Sequence, residues 1–160
     1  MKYLAFLALV AAASAHLCMI SPPQRGSMSG LNTAGSSDCI LLKAPCGGRP
    51  QSGAGLSIPA ERNFTVTIQK NLDHWLEASP GYFSVDIALP PFTDFKQLVQ
   101  IPDMGEPSLH LYSVNITVPG SMTNLDAVIR SMYVTKNPKA PAVFYQCADI
   151  FVSRKLQQNL

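Results

Sequence analysis

The 160-residue chain has three histidines, His16, His74 and His110, and the position of the first decides what chemistry they can do. His16 follows a stretch with one positive charge at Lys2, an apolar run from Leu4 to Ala11, and small residues ending Ala13-Ser14-Ala15. That is the layout of a secretory signal with an A-x-A cleavage site. Cleavage after Ala15 makes His16 the first residue of the mature chain. One residue then offers two nitrogens, its α-amine and its imidazole. The amine has an ordinary pKa near 7.7–8.0, and a bound metal displaces its proton near neutrality. A second imidazole completes a planar three-nitrogen set, a histidine brace. Nitrogen ligands in a tetragonal plane suit Cu(II), which tops the divalent affinity order. The alternative is a histidine that follows the cleavage site by chance.

The second imidazole has two candidates. His74 lies in a polar turn, where metal ligands are commonly displayed. His110 opens an alternating strand and shares the parity of Tyr112, Val114 and Ile116, as a hydrogen-bonded core histidine would. The pattern favours His74 and leaves His110 open. A carboxylate is a plausible fourth ligand. Asp149 sits inside the apolar run Tyr145-Gln146-Cys147-Ala148-Asp149-Ile150 with the parity of Tyr145 and Cys147. An ionised Asp there requires a cation or several hydrogen-bond donors. Copper is one answer, and an Arg or backbone amides are the other. Asp38 and Asp73 fall in polar turns and read as solvated or capping residues.

These residues need a frame. Residues 16–60 hold seven of the ten glycines and three of the four cysteines, with few charges. Such a stretch is not a continuous helix, and it reads as an ordered, loop-rich segment tied down by disulfides. The rest alternates. Phe64, Val66 and Ile68 share one face of Asn63–Lys70, and Phe83, Val85, Ile87 and Leu89 do so in Tyr82–Leu89. Leu111–Val118, Ala127–Val134 and Val143–Val152 complete the set, and Asp73–Ala78 reads as a single helical turn before Pro80. Period-two runs separated by Pro, Gly and Asn predict an all-β domain of two packed sheets or a barrel.

Composition excludes several classes. Twelve Lys+Arg against ten Asp+Glu give no basic face for nucleic acid. Beyond the first fifteen residues no run approaches the roughly 18 apolar residues of a membrane span, and the polar tail Ser153–Leu160 is no anchor signal. Cys-x-x-Cys zinc spacing, a Gly-x-Ser-x-Gly elbow and a Walker loop are missing. Four cysteines in an oxidising compartment suggest two disulfides. Asn63-Phe64-Thr65 and Asn115-Ile116-Thr117 are glycosylation sequons. The alternation turns Asn115 away from the apolar face, toward solvent.

Three motifs together resemble a known family, the copper-binding proteins related to lytic polysaccharide monooxygenases, including the fungal copper acquisition factors. They are His16 with Pro22-Pro23-Gln24-Arg25-Gly26, then Pro45-Cys46-Gly47-Gly48, and last Tyr145-Gln146-Cys147-Ala148-Asp149-Ile150. The resemblance implies an immunoglobulin- or fibronectin-like β-sandwich over 16–160 behind a signal at 1–15. It implies copper held by His16, His74 and Asp149, without evident polysaccharide-oxidising activity. It also implies Cys46–Cys147, since both lie in the shared motifs, which leaves Cys18 to Cys39. Cys18 and Cys39 lie outside the family motifs, and this departure, with the missing anchor, suggests a freely secreted, distant branch.

The expected function is secreted Cu(II) binding, buffering or delivery, with the copper ion as partner and any protein or glycan partner unspecified. The competing readings are a copper oxidoreductase and a metal-free adhesive β-sandwich. A single tryptophan, Trp75, argues against the flat aromatic surface that crystalline polysaccharide requires. N-terminal sequencing of the protein collected from culture medium is expected to begin at His16, and a start further in would remove the brace.

Overall fold

The computed structural model describes residues 16–53 and 55–154. The signal reading at 1–15 lies outside the described residues. Eight strands run through the described chain: β1 (His16–Ser21), β2 (Leu56–Pro59), β3 (Asn63–Leu72), β4 (Tyr82–Ala88), β5 (Lys96–Pro102), β6 (His110–Thr117), β7 (Leu125–Val134) and β8 (Val143–Ser153). Short 3-10 turns at Ser37–Cys39 and Gly120–Met122 are the helical elements among the described residues.

Alternation sets the layers. The order β1-β3-β6 forms a three-stranded antiparallel sheet, and β2-β8-β7-β4-β5 a five-stranded one. Leu17, Met19, Val66, Ile68, Tyr112 and Ile116 face Phe83, Val85, Ile129, Tyr133, Phe144 and Ile150 across a single core. Two faces hydrophobic on one side only bury that side against each other, which is the β-sandwich the pattern predicts. Gln146 is buried among the inward residues of β8, and its amide joins the layers by donating to the Leu17 and Asp38 carbonyls at 2.9 Å each.

The loop-rich segment is ordered, as expected, and includes β1 and β2. β2 pairs in parallel with only the last part of β8, Ile150–Ser153. Beyond it, backbone from the segment covers the open edge. The amide of Tyr145 donates to Leu41 at 2.9 Å, and that of Arg25 to Cys147 at 2.7 Å. An unpaired buried edge would be costly and a site for wrong pairing. Both disulfides form as the resemblance implied. Cys18–Cys39 has a Cα separation of 4.9 Å and Cys46–Cys147 one of 5.1 Å.

Two expectations are corrected. Residues 73–78 form no helix, and a single turn runs from Leu76 to Ser79, whose amide donates to the Leu76 carbonyl at 3.0 Å. The Asp73 carboxylate accepts from the Trp75 amide at 2.9 Å, and this local bond competes with helical pairing. β5 was not expected. It is an edge strand whose register slips by one residue opposite Val85 and Asp86, and the bulge breaks the alternation that would have revealed it.

The Cys46–Cys147 bridge spans 101 residues of chain and fastens the segment to β8. The C46A/C147A double variant is expected to lose roughly 2–4 kcal/mol of stability in denaturant titrations.

Candidate metal centre

Strand pairing brings the first two candidate residues to one end of the sandwich. His16 opens β1 opposite Leu72, and Leu17 lies opposite Lys70, so β3 carries one extra residue, Asn71, between them. A bulge of this kind re-aims the side chains around it. Asn71 is fully buried and satisfied at every position. Its oxygen accepts from the amides of Gly35 and Ser36 at 2.9 and 3.0 Å. Its nitrogen donates to Thr33 and Gln69 at 3.1 and 3.0 Å. The bulge is thus locked to the loop that leads to Cys39.

His74 stands two residues beyond Leu72, about 7 Å of extended chain, so it lies just past the residue that pairs with His16. It is buried. Its carbonyl accepts from Asn137 at 3.0 Å, and its ring stacks on Phe144 at 6.5 Å between centroids and 11° between planes. Its Nε2 is buried without a hydrogen-bond partner. A buried imidazole nitrogen left unpaired is costly, and a neutral ring in that state presents the lone pair a metal requires. His110 sits differently. It pairs with Lys70 from β6, with β3 between it and β1, and its ring meets Tyr112 edge-on at 4.8 Å.

Asp149 is occupied elsewhere. The Arg25 guanidinium grips it with two bonds, Nε to Oδ2 at 2.9 Å and Nη2 to Oδ1 at 2.5 Å. The Ser52 amide and hydroxyl each add a bond at 3.0 Å. Burial alone would raise the carboxyl pKa. The Arg25 hydrogen bonds, the Ser52 amide and the Arg25 charge outweigh it and hold the group below its ordinary value. Asp149 also faces the outer side of β8 beside Cys147, whereas Phe144, five residues or about 17 Å of strand away, points into the core. The structure therefore does not bring Asp149 to His74. Of the two answers the buried Asp admits, it takes the arginine. Asp38 pairs with Arg49 at 3.1 Å, and Asp73 with Lys70 at 2.5 Å.

The carboxylate placed near the histidine end is Asp103, which sequence reasoning missed. It is fully buried and accepts from Lys70 Nζ at 2.7 Å, from the Tyr133 hydroxyl at 2.5 Å and from the Gly105 amide at 3.1 Å. The available signal was Lys70 itself, which extends the inward parity of Phe64, Val66 and Ile68 and so demands a buried counter-ion. Among the described residues no three His, Cys, Asp or Glu side chains gather into a metal cage. A brace needs only two side chains, because the chain terminus supplies the third nitrogen.

The family description "Copper acquisition factor BIM1-like" matches residues 14–159. The chain belongs to this family. Copper is thus the metal its family is described by, and the donor types at the histidine end fit that metal. A comparison with curated protein sequences found no significant match. Among solved structures, the chain is similar to the AA15 lytic polysaccharide monooxygenase from Thermobia domestica in the Cu(I) state. The identity is 15% and the TM-score 0.58, over 88% of this chain and 100% of that one. A lytic polysaccharide monooxygenase from Jonesia denitrificans gives 15% identity and a TM-score of 0.52, over 86% and 100%. ScLPMO10B in complex with zinc gives 19% identity and a TM-score of 0.44, over 66% of this chain, which spans 62% of that structure's length. At these identities the likeness is one of fold.

Asp149→Asn is expected to lower stability by about 3 kcal/mol, because it leaves Arg25 buried and poorly paired. Copper affinity should stay within a few-fold of wild type. A carboxyl with a depressed folded-state pKa stabilises above its unfolded value, near 3.9, and loses that contribution as pH falls through the folded value. Wild-type stability is therefore expected to fall more steeply than that of the Asn variant between about pH 5 and pH 2, read from denaturant midpoints across that range.

Proposed function

We propose that this is a secreted protein that binds one Cu(II) ion through a histidine brace, for copper buffering or delivery. Signal cleavage after Ala15 supplies the α-amine of His16, whose imidazole is the second ligand, and His74 is the third. The observation that carries this reading is the buried, unpartnered Nε2 of His74 next to the strand pairing that seats His16. In the chain as translated the His16 nitrogen is an amide and a poor ligand, so cleavage both frees the protein and creates the site. The family's description supports copper as the metal. Copper bound there supplies a Lewis-acidic, redox-active centre. The residues of this chain hold it, Phe144 backs the second ring, and the buried setting restricts water.

Export is supported by the two disulfides, which persist in oxidising compartments. It is supported further by the sequons. Asn63 and Asn115 are exposed on the outer face of the three-stranded sheet, as N-glycan acceptors must be. Asn63 lies opposite Thr117 and Thr65 opposite Asn115, with hydroxyl-to-amide bonds of 3.1 and 2.8 Å between the two sequons.

Isothermal titration of mature protein starting at His16 is expected to give one Cu(II) per chain. His74→Ala, or a Gly placed ahead of His16, should weaken binding by roughly 100-fold or more, beyond the range of outer-shell changes. His110→Ala should bind as wild type. Full affinity in both the His74 variant and the blocked-amine protein would sink the brace.

A further inference from the structure

Lys70 and Asp103 form a fully buried ion pair. Taking two charges out of water is costly, and an apolar pair of similar volume would serve stability as well or better. The cluster therefore calls for a reason beyond stability, and its connections give one. Lys70 Nζ holds Asp103 at 2.7 Å and Asp73, the neighbour of His74, at 2.5 Å. Asp103 accepts from the Tyr133 hydroxyl at 2.5 Å. Asp73 in turn accepts from the main-chain amide of Trp75 at 2.9 Å, so the residues on either side of His74 are tied to the cluster. Tyr133 is fixed on its other side by stacking on Phe83 at 4.3 Å, and its ring lies 6.4 Å from Phe144, on which His74 stacks.

We propose that Lys70, Asp103 and Tyr133 are positioning residues for the second imidazole. They hold Asp73 and, through it, the 73–75 backbone, so that His74 is aimed before any metal arrives. The inference rests on His74 being a copper ligand. Each member has one job. Lys70 anchors the end of β3 to two carboxylates. Asp103 fixes the Lys70 ammonium, and the Tyr133 hydroxyl fixes Asp103 from β7. Asn137 completes the clamp by holding the His74 carbonyl at 3.0 Å. The peptide that joins His74 to Trp75 is held at its carbonyl by Asn137 and at its amide by Asp73, and stacking on Phe144 restricts the His74 side chain. A ligand held this way loses less freedom on binding, and that preorganisation appears as affinity and as a single coordination geometry.

The test uses mature protein starting at His16 and two variants. Tyr133→Phe removes one oxygen and leaves the stacked ring. K70M/D103L removes both charges together, which keeps an unpaired buried ion from unfolding the protein. In apo protein, amide exchange at Trp75 is expected to quicken at least tenfold in both variants, while Ile68 in the core changes less than threefold. With copper, both should bind Cu(II) about tenfold more weakly. Their electron paramagnetic resonance spectra should show two overlapping species where wild type shows one. Wild-type exchange at Trp75, or a single wild-type spectrum in both variants, would overturn the proposal. A K70M/D103L protein as stable as wild type with a wild-type spectrum would reduce the cluster to packing and overturn it as well. Should wild type take up no copper, the brace reading fails by itself, and faster exchange at Trp75 would still establish the clamp.

Discussion

Chain ends fray, because a terminal residue has neighbours on one side only. The proposed metal site uses the first residue of a mature chain and would have to overcome that, a task the ordering of β1 suits. β1 is paired along its length with β3 rather than left as a tail. The Leu17 carbonyl accepts from Gln146 of the opposite sheet, and the Met19 amide donates to Gln24 at 2.8 Å. Cys18, two residues in, is bridged to Cys39, and Asn71 fastens the adjoining bulge to the same loop. The first strand is thus held by sheet, disulfide and side chain at once.

The loop-rich segment has the complementary task. It has too few apolar residues and too many glycines to form a layer of its own. It is held on by contacts that are individually strong: a disulfide, a two-pronged Arg25–Asp149 pair inside the fold, and backbone bonds to the open edge of β8. Breaking a pair of this kind from one side is costly, which is why an aspartate in an apolar strand is tolerated without a metal.

Most of the sandwich was legible from period-two alternation, since five strands of half-buried pattern leave few other arrangements. β5 was hidden because an edge strand with a bulge, in which Lys96 and Gln97 are adjacent and Leu98 and Val99 are adjacent, carries no period-two pattern. Within the candidate site, His16 was legible from the cleavage motif and His74 from its polar turn. Asp149 was legible as a residue needing a partner, but its partner was not. Arg25 is 124 residues away in sequence, and a buried carboxylate has the same signature whether a guanidinium or a metal satisfies it. Asp103 gave no sign by itself, because an aspartate after Pro102 reads as an ordinary turn residue until Lys70 is placed in the core.

The order in which the chain is made adds a temporal side to this architecture. β1 is the first strand of the domain to be synthesised, but its neighbour β3 follows about fifty residues later, and the Phe144 that backs His74 belongs to the last strand. Contacts this distant in sequence form slowly, after the intervening chain is available. His16 therefore reaches its native surroundings only when synthesis is nearly complete. A nascent chain passing through a copper-containing compartment has no assembled pocket to fill. On the proposed reading, metal loading would be a late event that reports completed folding.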